Sequence, residues 1–260
     1  WHGHDHGRIH YALTPRFAIS CSDALLHGTG ELYQESLSSH QGVYCHTHLA
    51  EQQDEVETTL SLFPKAKTYT DVYAQLGLLG ERTIFAHGIY LSKAELTQIH
   101  AAGGSIAHCP SANFFLHSGQ FRWFRVKAQG IPIGLGSDVG AGPELSLFKV
   151  MKDAQYTQAA LTRGDGHKGQ RIDCRELFYH VTLGGAKALK LNDTIGNFEP
   201  GKEADFIVLD LQGKSNIPDD LADRSLDDIL SSLVFLGDDR LIAHTYIRGQ
   251  SVYTRETSTP

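Results

Sequence analysis

Two histidines and one glutamate in a short segment have the types and spacing for metal chemistry. Residues 45–51 read CHTHLAE, so His46 and His48 would point to the same face of a strand. Glu51 follows three residues after His48, where a carboxylate can pass protons to and from a water beside a metal that His48 holds. The alternative interpretation of Glu51 is a first-turn glutamate that stabilises the following helix.

Four polar residues end consecutive apolar runs of the chain: His48, His87, His108 and Asp138. The carboxyl ends of parallel strands open on one mouth, where enzymes built from alternating strands and helices bind their ligands. One such histidine alone is more often a hydrogen-bonded core or rim residue, but four polar residues in this position favour a shared site. Imidazole and carboxylate are good ligands for Zn²⁺, and Fe²⁺ also binds such sites.

Asp138 lies in a glycine-rich segment, GLGSDVGAG at residues 134–142. Glycines let the backbone pass close to a ligand. The spacing matches neither the phosphate-binding loops G-x-x-x-x-G-K-[ST] and G-x-G-x-x-G nor the nucleophile motif G-x-S-x-G. The H-x-E…P-C-x-x-C pattern of the cytidine-type zinc deaminases does not occur either. Metal binding beside a carboxylate that can shuttle protons is therefore the chemistry that the motifs favour.

Composition and charge limit the partners and the cellular compartment to be expected for this protein. A net charge of -7 without a basic run argues against a nucleic-acid partner, and no apolar run approaches the ~20 residues of a membrane span. The 4 cysteines lack C-x-x-C spacing, which favours a reducing compartment and a cytoplasmic location. The cluster His2, His4, His6 and His10 is interpreted as a solvated loop, because no strand would hold it rigid.

Short apolar runs that alternate with amphipathic patterns predict an α/β fold with a parallel sheet. The predicted strands are residues 11–17, 43–48, 83–87, 105–108 and 131–137, and the predicted helices between them are residues 52–62, 93–101 and 119–129. Ser92 and Glu95 form a capping box before the second of these helices. A closed (β/α)₈ barrel needs eight units, so five units predict either an open sheet or a barrel that lacks three.

The C-terminal part changes character. Residues 176–191 predict a helix rich in Ala and Leu, and residues 196–201 form a cluster of turn residues. Residues 204–210, 244–247 and 251–253 read as strands, the last two joined as a hairpin. They predict part of a small β unit whose other strands lie elsewhere.

These motifs, in this order, resemble the amidohydrolase superfamily. The matching segments are CHTHLAE at 45–51, AHG at 86–88, AHCPS at 107–111 and GLGSDVGAG at 134–142. Within that superfamily, LTPRF at 13–17, HCPSANFFL at 108–116 and LGDDR at 236–240 resemble the guanine deaminases. The resemblance implies an incomplete TIM-type (β/α)₈ barrel over residues 1–195 and returning β-sandwich strands over residues 196–260.

The resemblance also implies a role for each matching residue. It implies a metal ion, Zn²⁺ or alternatively Fe²⁺, held by His48 and Asp138, with Asp138 acting as a base as well. Glu51 matches the proton shuttle, and His87 matches the histidine that hydrogen-bonds the water held by the metal.

Arg16 and Phe17 match residues that hold the purine, by the guanidinium and by the ring face respectively. His46 is expected to support the site, and His108 to lie at its rim.

The implied reaction is hydrolysis of guanine, a small purine base, to xanthine and ammonia by a metal-activated water, in a homodimer. One departure from the family is large: no strand carries the family's first H-x-H pair of metal ligands, and three barrel units are missing. We therefore expect the chain, which begins at Trp1, to be the C-terminal part of a longer enzyme and to be inactive alone. Two alternatives stay open: hydrolysis of another heterocycle (8-oxoguanine, a pterin or a triazine), and an inactive metal-binding fragment.

Overall fold

The computed structural model describes residues 1–39, 42–161, 170–212 and 217–256. Its strands are β1 (Ala12–Leu13), β2 (Tyr44–Leu49), β3 (Thr83–His87), β4 (Ser105–His108), β5 (Ile133–Leu135), β6 (Phe206–Leu209), β7 (Ile242–Ile247) and β8 (Gln250–Thr254). Its helices are α1 (His4–Gly7), α2 (Asp23–Ser38), α3 (Gln53–Leu62), α4 (Tyr69–Gln75), α5 (Lys93–Ala101), α6 (Pro110–Phe115), α7 (Trp123–Ala128), α8 (Leu147–Leu161), α9 (Cys174–Val181), α10 (Leu183–Ala188) and α11 (Leu226–Leu236).

A five-stranded sheet runs in the order β1-β2-β3-β4-β5, so neighbours in the chain are neighbours in the sheet. β1 to β4 pair in parallel, with Leu49 of β2 opposite His87 of β3. The central strands carry buried apolar residues such as Phe85 and Ile106, as expected of a sheet covered on both faces. The predicted α/β fold with a parallel sheet is confirmed.

Most predicted boundaries agree with the structure, and the largest difference lies in the first strand. Residues 83–87, 105–108 and 93–101 form the predicted strands and helix, and Ser92 with Glu95 makes the predicted capping box. The first strand was predicted over residues 11–17 but covers only Ala12–Leu13. Pro15 lacks the N–H that a ladder needs, and its carbonyl accepts a hydrogen bond from Thr47 Oγ1 at 2.6 Å instead.

The predicted helix over residues 176–191 is two helices, because the backbone breaks at Thr182 (φ -125°, ψ -106°). Six of the described helices were not predicted: α1, α2, α4, α6, α8 and α11. Helix α2 contains Gly30, which has a poor helix propensity but is required there by packing. A Cβ on Gly30 would lie 1.8 Å from the carbonyl oxygen of Leu76, so only glycine allows this approach.

The chain divides into two compact units, described separately. The first comprises Trp1–Cys109 and Asn113–Gly134, and the second Pro110–Ala112 and Leu135–Pro260. The second unit contains an antiparallel sheet in the order β6-β7-β8. The division at residue 195 into a barrel part and a sandwich part stays a prediction. No helix in the described part of the chain is long and apolar enough to cross a membrane.

Candidate metal and acid–base site

His48 lies near the carboxyl end of β2, and one nitrogen of its ring is hydrogen-bonded to the backbone. The strand alternates, so that Cys45, Thr47 and Leu49 are buried while His46 and His48 are half-buried on the other face. His48 Nδ1 lies 2.6 Å from the carbonyl oxygen of Arg16. A carbonyl only accepts, so Nδ1 carries the proton and Nε2 keeps its lone pair.

Burial lowers the pKa of His48 to about 4, and the neighbouring His87 adds to this effect. The ring is therefore neutral near pH 7, which is the form that binds a metal. The carbonyl of Arg16 acts as the outer partner that fixes the tautomer of a metal-binding imidazole.

Phe17 and Arg16 lie beside His48. The rings of Phe17 and His48 stack with centroids 4.0 Å apart, and Arg16 Cζ lies 5.2 Å from the centroid of Phe17. Phe17 is half-buried and Arg16 exposed. The two residues predicted to bind substrate are thus joined to a predicted metal ligand by direct contacts.

Glu51 follows β2 in a buried turn, and its carboxylate contacts a second histidine. Ala50 before it has φ 51°, an uncommon conformation for a residue with a Cβ. Glu51 is 5% exposed, and its Oε2 lies 3.6 Å from His87 Nε2. Its backbone N–H donates to Glu55 Oε2 at 2.8 Å, which fixes the start of α3. The interpretation of Glu51 as a mere helix-stabilising residue is weakened, because Glu55 fills the capping position.

His87 ends β3 and is fully buried. Its φ is 71°, followed by Gly88 at 61°, so the chain turns sharply where the strand ends. A non-glycine residue in this region costs free energy, and such conformations concentrate at functional sites. The ring stacks near that of His48, with centroids 5.2 Å apart.

His48, Glu51 and His87 bring together side-chain atoms of the types that bind metal ions. One ligand atom from each lies within 4.8 Å of the others, and they form the one group of this kind among the described residues. Two imidazole nitrogens and a carboxylate oxygen are the donor types that Zn²⁺ prefers.

A buried hydrogen-bonded network supports the end of β2. Tyr73 Oη donates to the carbonyl oxygen of His48 at 2.8 Å and lies 3.0 Å from Thr47 Oγ1. The Oη atoms of Tyr69 and Tyr73 lie 3.4 Å apart. Both tyrosines are 0% exposed, so these polar groups depend on each other for hydrogen bonds.

Asp138 belongs to the second unit and has its own strained turn. Its φ is 50°, and its carbonyl accepts from the N–H of Gly142 at 2.7 Å. A Cβ on Gly142 would lie 2.8 Å from the Cβ of Ala112, which explains the glycine. The pairing of Asp138 with His48 around one ion stays a prediction.

His108 is not a rim residue, contrary to prediction. It is 1% exposed, and its ring stacks on Phe121 at 4.3 Å, next to Trp123. His46 shares the face of His48, and its supporting role stays a prediction.

Sequence reasoning missed two polar residues that contact the site. Asn113 Oδ1 lies 2.8 Å from His87 Nδ1, and Ser118 Oγ donates to Glu51 Oε1 at 3.0 Å. Asn113 stands in the segment HCPSANFFL at 108–116, which was interpreted only as a resemblance, and Ser118 lies two residues beyond it. For Asn113, a polar residue between apolar ones after a strand end was the available signal.

Comparison with known proteins places the chain in a family. The model of the amidohydrolase family matches residues 1–252. Guanine deaminase of Escherichia coli K12 is 38% identical over 97% of this chain and 55% of its own length. Human guanine deaminase is 37% identical over 95% of this chain and 54% of its own length. The chain thus spans about half the length of the relatives that it matches.

Solved structures give the same grouping. E. coli guanine deaminase superposes with a TM-score of 0.88, covering 97% of this chain and 57% of that one. Guanine deaminase from C. acetobutylicum with bound guanine in the active site is 34% identical, with a TM-score of 0.80 over 92% of this chain and 54% of that one. An adenosine deaminase from Xanthomonas campestris with bound zinc is 25% identical, with a TM-score of 0.77 over 92% of this chain and 51% of that one.

Proposed function

The chain belongs to the amidohydrolase family, and from this premise we propose that it is the C-terminal part of a metal-dependent guanine deaminase, which hydrolyses guanine to xanthine and ammonia. The observation that carries the proposal is the group His48, Glu51 and His87, with Phe17 stacked on its outer histidine. The similarity to guanine deaminases over more than nine-tenths of the chain supports guanine as the substrate.

We propose that the five-stranded sheet is part of a (β/α)₈ barrel. The half-length match to the relatives supports this, as does the sequential strand order. Residues 1–195 would be barrel and residues 196–260 returning sandwich strands. A homodimer and a cytoplasmic location are proposed with the same function.

His48 would hold the metal through Nε2, and Asp138 is proposed as a further ligand on the evidence of the sequence. Zn²⁺ is the ion that the donor set favours, with Fe²⁺ as the alternative. When bound, such an ion would supply Lewis acidity that makes water nucleophilic near neutral pH.

The protein's own groups would handle the protons. Asp138 takes a proton from the water that adds to C2 of guanine. Glu51 protonates the neighbouring ring nitrogen and then carries a proton to the departing amino group, which leaves as ammonia. His87 Nε2 would accept a hydrogen bond from the water and then from the hydroxyl that forms on C2. That hydroxyl would release its proton to Glu51 as the C2 carbonyl forms, so the two protons of the water end on the ring nitrogen and on the leaving ammonia.

The function is tested first by turnover. Guanine-to-xanthine conversion and metal content are measured for the 260-residue chain and for a form extended at the N-terminus by the half that relatives possess. We expect stoichiometric metal and activity only in the extended form. A panel of heterocycles assayed for ammonia release separates guanine from 8-oxoguanine, pterin and triazine substrates. An extended form without activity on any of them would favour the metal-binding fragment instead.

Glu51→Gln in the extended form tests the shuttle. We expect kcat to fall by about 10²–10⁴, the usual contribution of general acid–base catalysis. Glu57→Gln is the matched control, because Glu57 is an exposed glutamate of α3. Turnover by Glu51→Gln within about tenfold of the unsubstituted protein removes the shuttle role.

Arg16→Lys tests recognition of the base. A planar guanidinium can pair with a carbonyl and its neighbour at once, which an ammonium cannot. We expect kcat/KM for guanine to fall by about tenfold or more, as for loss of one charged hydrogen bond. Unchanged kinetics would exclude Arg16 from base binding.

A further inference from the structure

One short segment contacts both proposed proton-handling groups. Asn113, within α6, is 1% exposed, and its Oδ1 lies 2.8 Å from His87 Nδ1. Ser118, five residues later, is 0% exposed and donates from Oγ to Glu51 Oε1 at 3.0 Å. Buried polar side chains cost free energy unless they are hydrogen-bonded, so two such contacts in one segment need an explanation.

The segment is tied into a fixed shape. The N–H of Ser118 donates to the carbonyl of Asn113 at 2.8 Å, and His117 between them has φ 58°. Tyr90 Oη donates to the carbonyl of Ser118 at 2.6 Å. These bonds bring Asn113 and Ser118 close in space although five residues separate them.

The direction of the Ser118 hydroxyl is set by Gln52. Gln52 Nε2 donates to Ser118 Oγ at 3.0 Å, so the oxygen accepts there and its own proton points to Glu51 Oε1. One oxygen of the Glu51 carboxylate is therefore held by Ser118, and the other faces His87 Nε2 at 3.6 Å.

We propose that Asn113 and Ser118 are positioning residues for the acid–base chemistry of this site, Asn113 acting on the ring of His87 and Ser118 on the carboxylate of Glu51. The proposal rests on the proposed function for the roles of His87 and Glu51. The family resemblance implied no role for Asn113 or for Ser118.

Asn113 also selects a tautomer. An acceptor at His87 Nδ1 keeps the proton on that nitrogen, so that Nε2 can accept from a water. The Nδ2 atom of Asn113 has no hydrogen-bond partner among the described residues, so its one side-chain contact of this kind is with His87.

The tautomer is measured without any activity, by nitrogen-15 NMR of the imidazole of His87 in the 260-residue chain. We expect the Nδ1–H form in the unsubstituted protein and in Asn113→Asp, which keeps an acceptor of the same shape. In Asn113→Leu we expect the Nε2–H form, because the acceptor at Nδ1 is removed while Glu51 Oε2 still lies 3.6 Å from Nε2. The same tautomer in the unsubstituted protein and Asn113→Leu overturns the role of Asn113.

The role of Ser118 is measured by steady-state kinetics in the extended, metal-loaded form. We expect Ser118→Ala to lower kcat by about 10- to 100-fold, as loss of an outer partner does, while KM changes by less than about threefold. Asn113→Leu should give the same division between kcat and KM, and Asn113→Asp should restore most of the rate.

Ser105→Ala is the matched control, since Ser105 is 1% exposed and lies at the other end of β4, bonded to the Thr83 carbonyl at 3.5 Å. It should change kcat and KM by less than about twofold, because it removes no bond near the site. If Ser118→Ala has as little effect as Ser105→Ala, Ser118 has no positioning role. If the unsubstituted extended form converts no guanine, the proposed function fails, and the NMR result still decides whether Asn113 fixes His87.

Discussion

The end of β2 and the β6-β7-β8 sheet differ in how deeply the described residues bury their side chains. At the end of β2, Leu49 is 0% exposed and the polar groups of Thr47 and Tyr73 are hydrogen-bonded in the interior. In the small sheet, no residue of any strand is buried, and Val252 is 57% exposed. The candidate site is thus supported by buried residues of its own unit, whereas the described strands of the sheet carry only half-buried and exposed side chains.

Two regions of one chain can thus differ in how much of their support comes from residues that the structure describes. Apolar burial supplies most of the stability of a sheet, and a small sheet without a covered face is marginal. His48 and Glu51, in contrast, are held by hydrogen bonds within their own unit. Their partners are Arg16, Ser118 and Glu55.

Truncation of one apolar residue in each region should give the largest contrast. Leu49→Ala should lower the free energy of unfolding by about 2–5 kcal/mol, because it opens a cavity in a packed core. Val252→Ala should change it by less than about 0.5 kcal/mol, because its side chain is largely in water. Urea denaturation followed by circular dichroism measures both. Equal losses would mean that the sheet is as well packed as the end of β2.

Removal of one tyrosine hydroxyl from each region should give a smaller contrast. Tyr73→Phe leaves the carbonyl of His48 without its side-chain donor, at a cost of about 1–2 kcal/mol. Tyr253→Phe, in a residue that is 48% exposed, should cost less than about 0.5 kcal/mol. The same denaturation experiment applies, and a neutral Tyr73→Phe would show that the buried network adds no stability.

Secondary structure was predicted best where residues close together in the sequence determine it. The strand over residues 83–87 follows from a short apolar run and the helix over residues 93–101 from a capping box, and neighbouring residues determine both. Helix α2 was not predicted; it contains Gly30, a residue of poor helix propensity, which the close carbonyl of Leu76 requires. That contact joins residues far apart in the chain, so no local pattern reveals it.

The same contrast between local patterns and distant contacts applies to the candidate site. His48, Glu51 and His87 were predicted from strand ends, and the structure brings them together. Asn113 and Ser118 were missed because their hydrogen bonds to the site depend on how the chain folds after β4. His108 was misplaced for the opposite reason: it also ends a strand, but Phe121 and Trp123 enclose it.

The pKa of His48 gives the finest test of how well the end of β2 is enclosed. Burial lowers this pKa from the ordinary 6.5 to about 4, so between these values the unfolded chain binds a proton that the folded chain does not. Stability from this group is therefore present above pH 6.5 and is lost as the pH falls towards 4. NMR titration of the metal-free chain should place the midpoint of the His48 ring near pH 4, and His48→Gln should flatten the fall in unfolding free energy between pH 6.5 and 4. A midpoint near 6.5 would mean that water reaches the ring freely, and the end of β2 would then be no better covered than the small sheet.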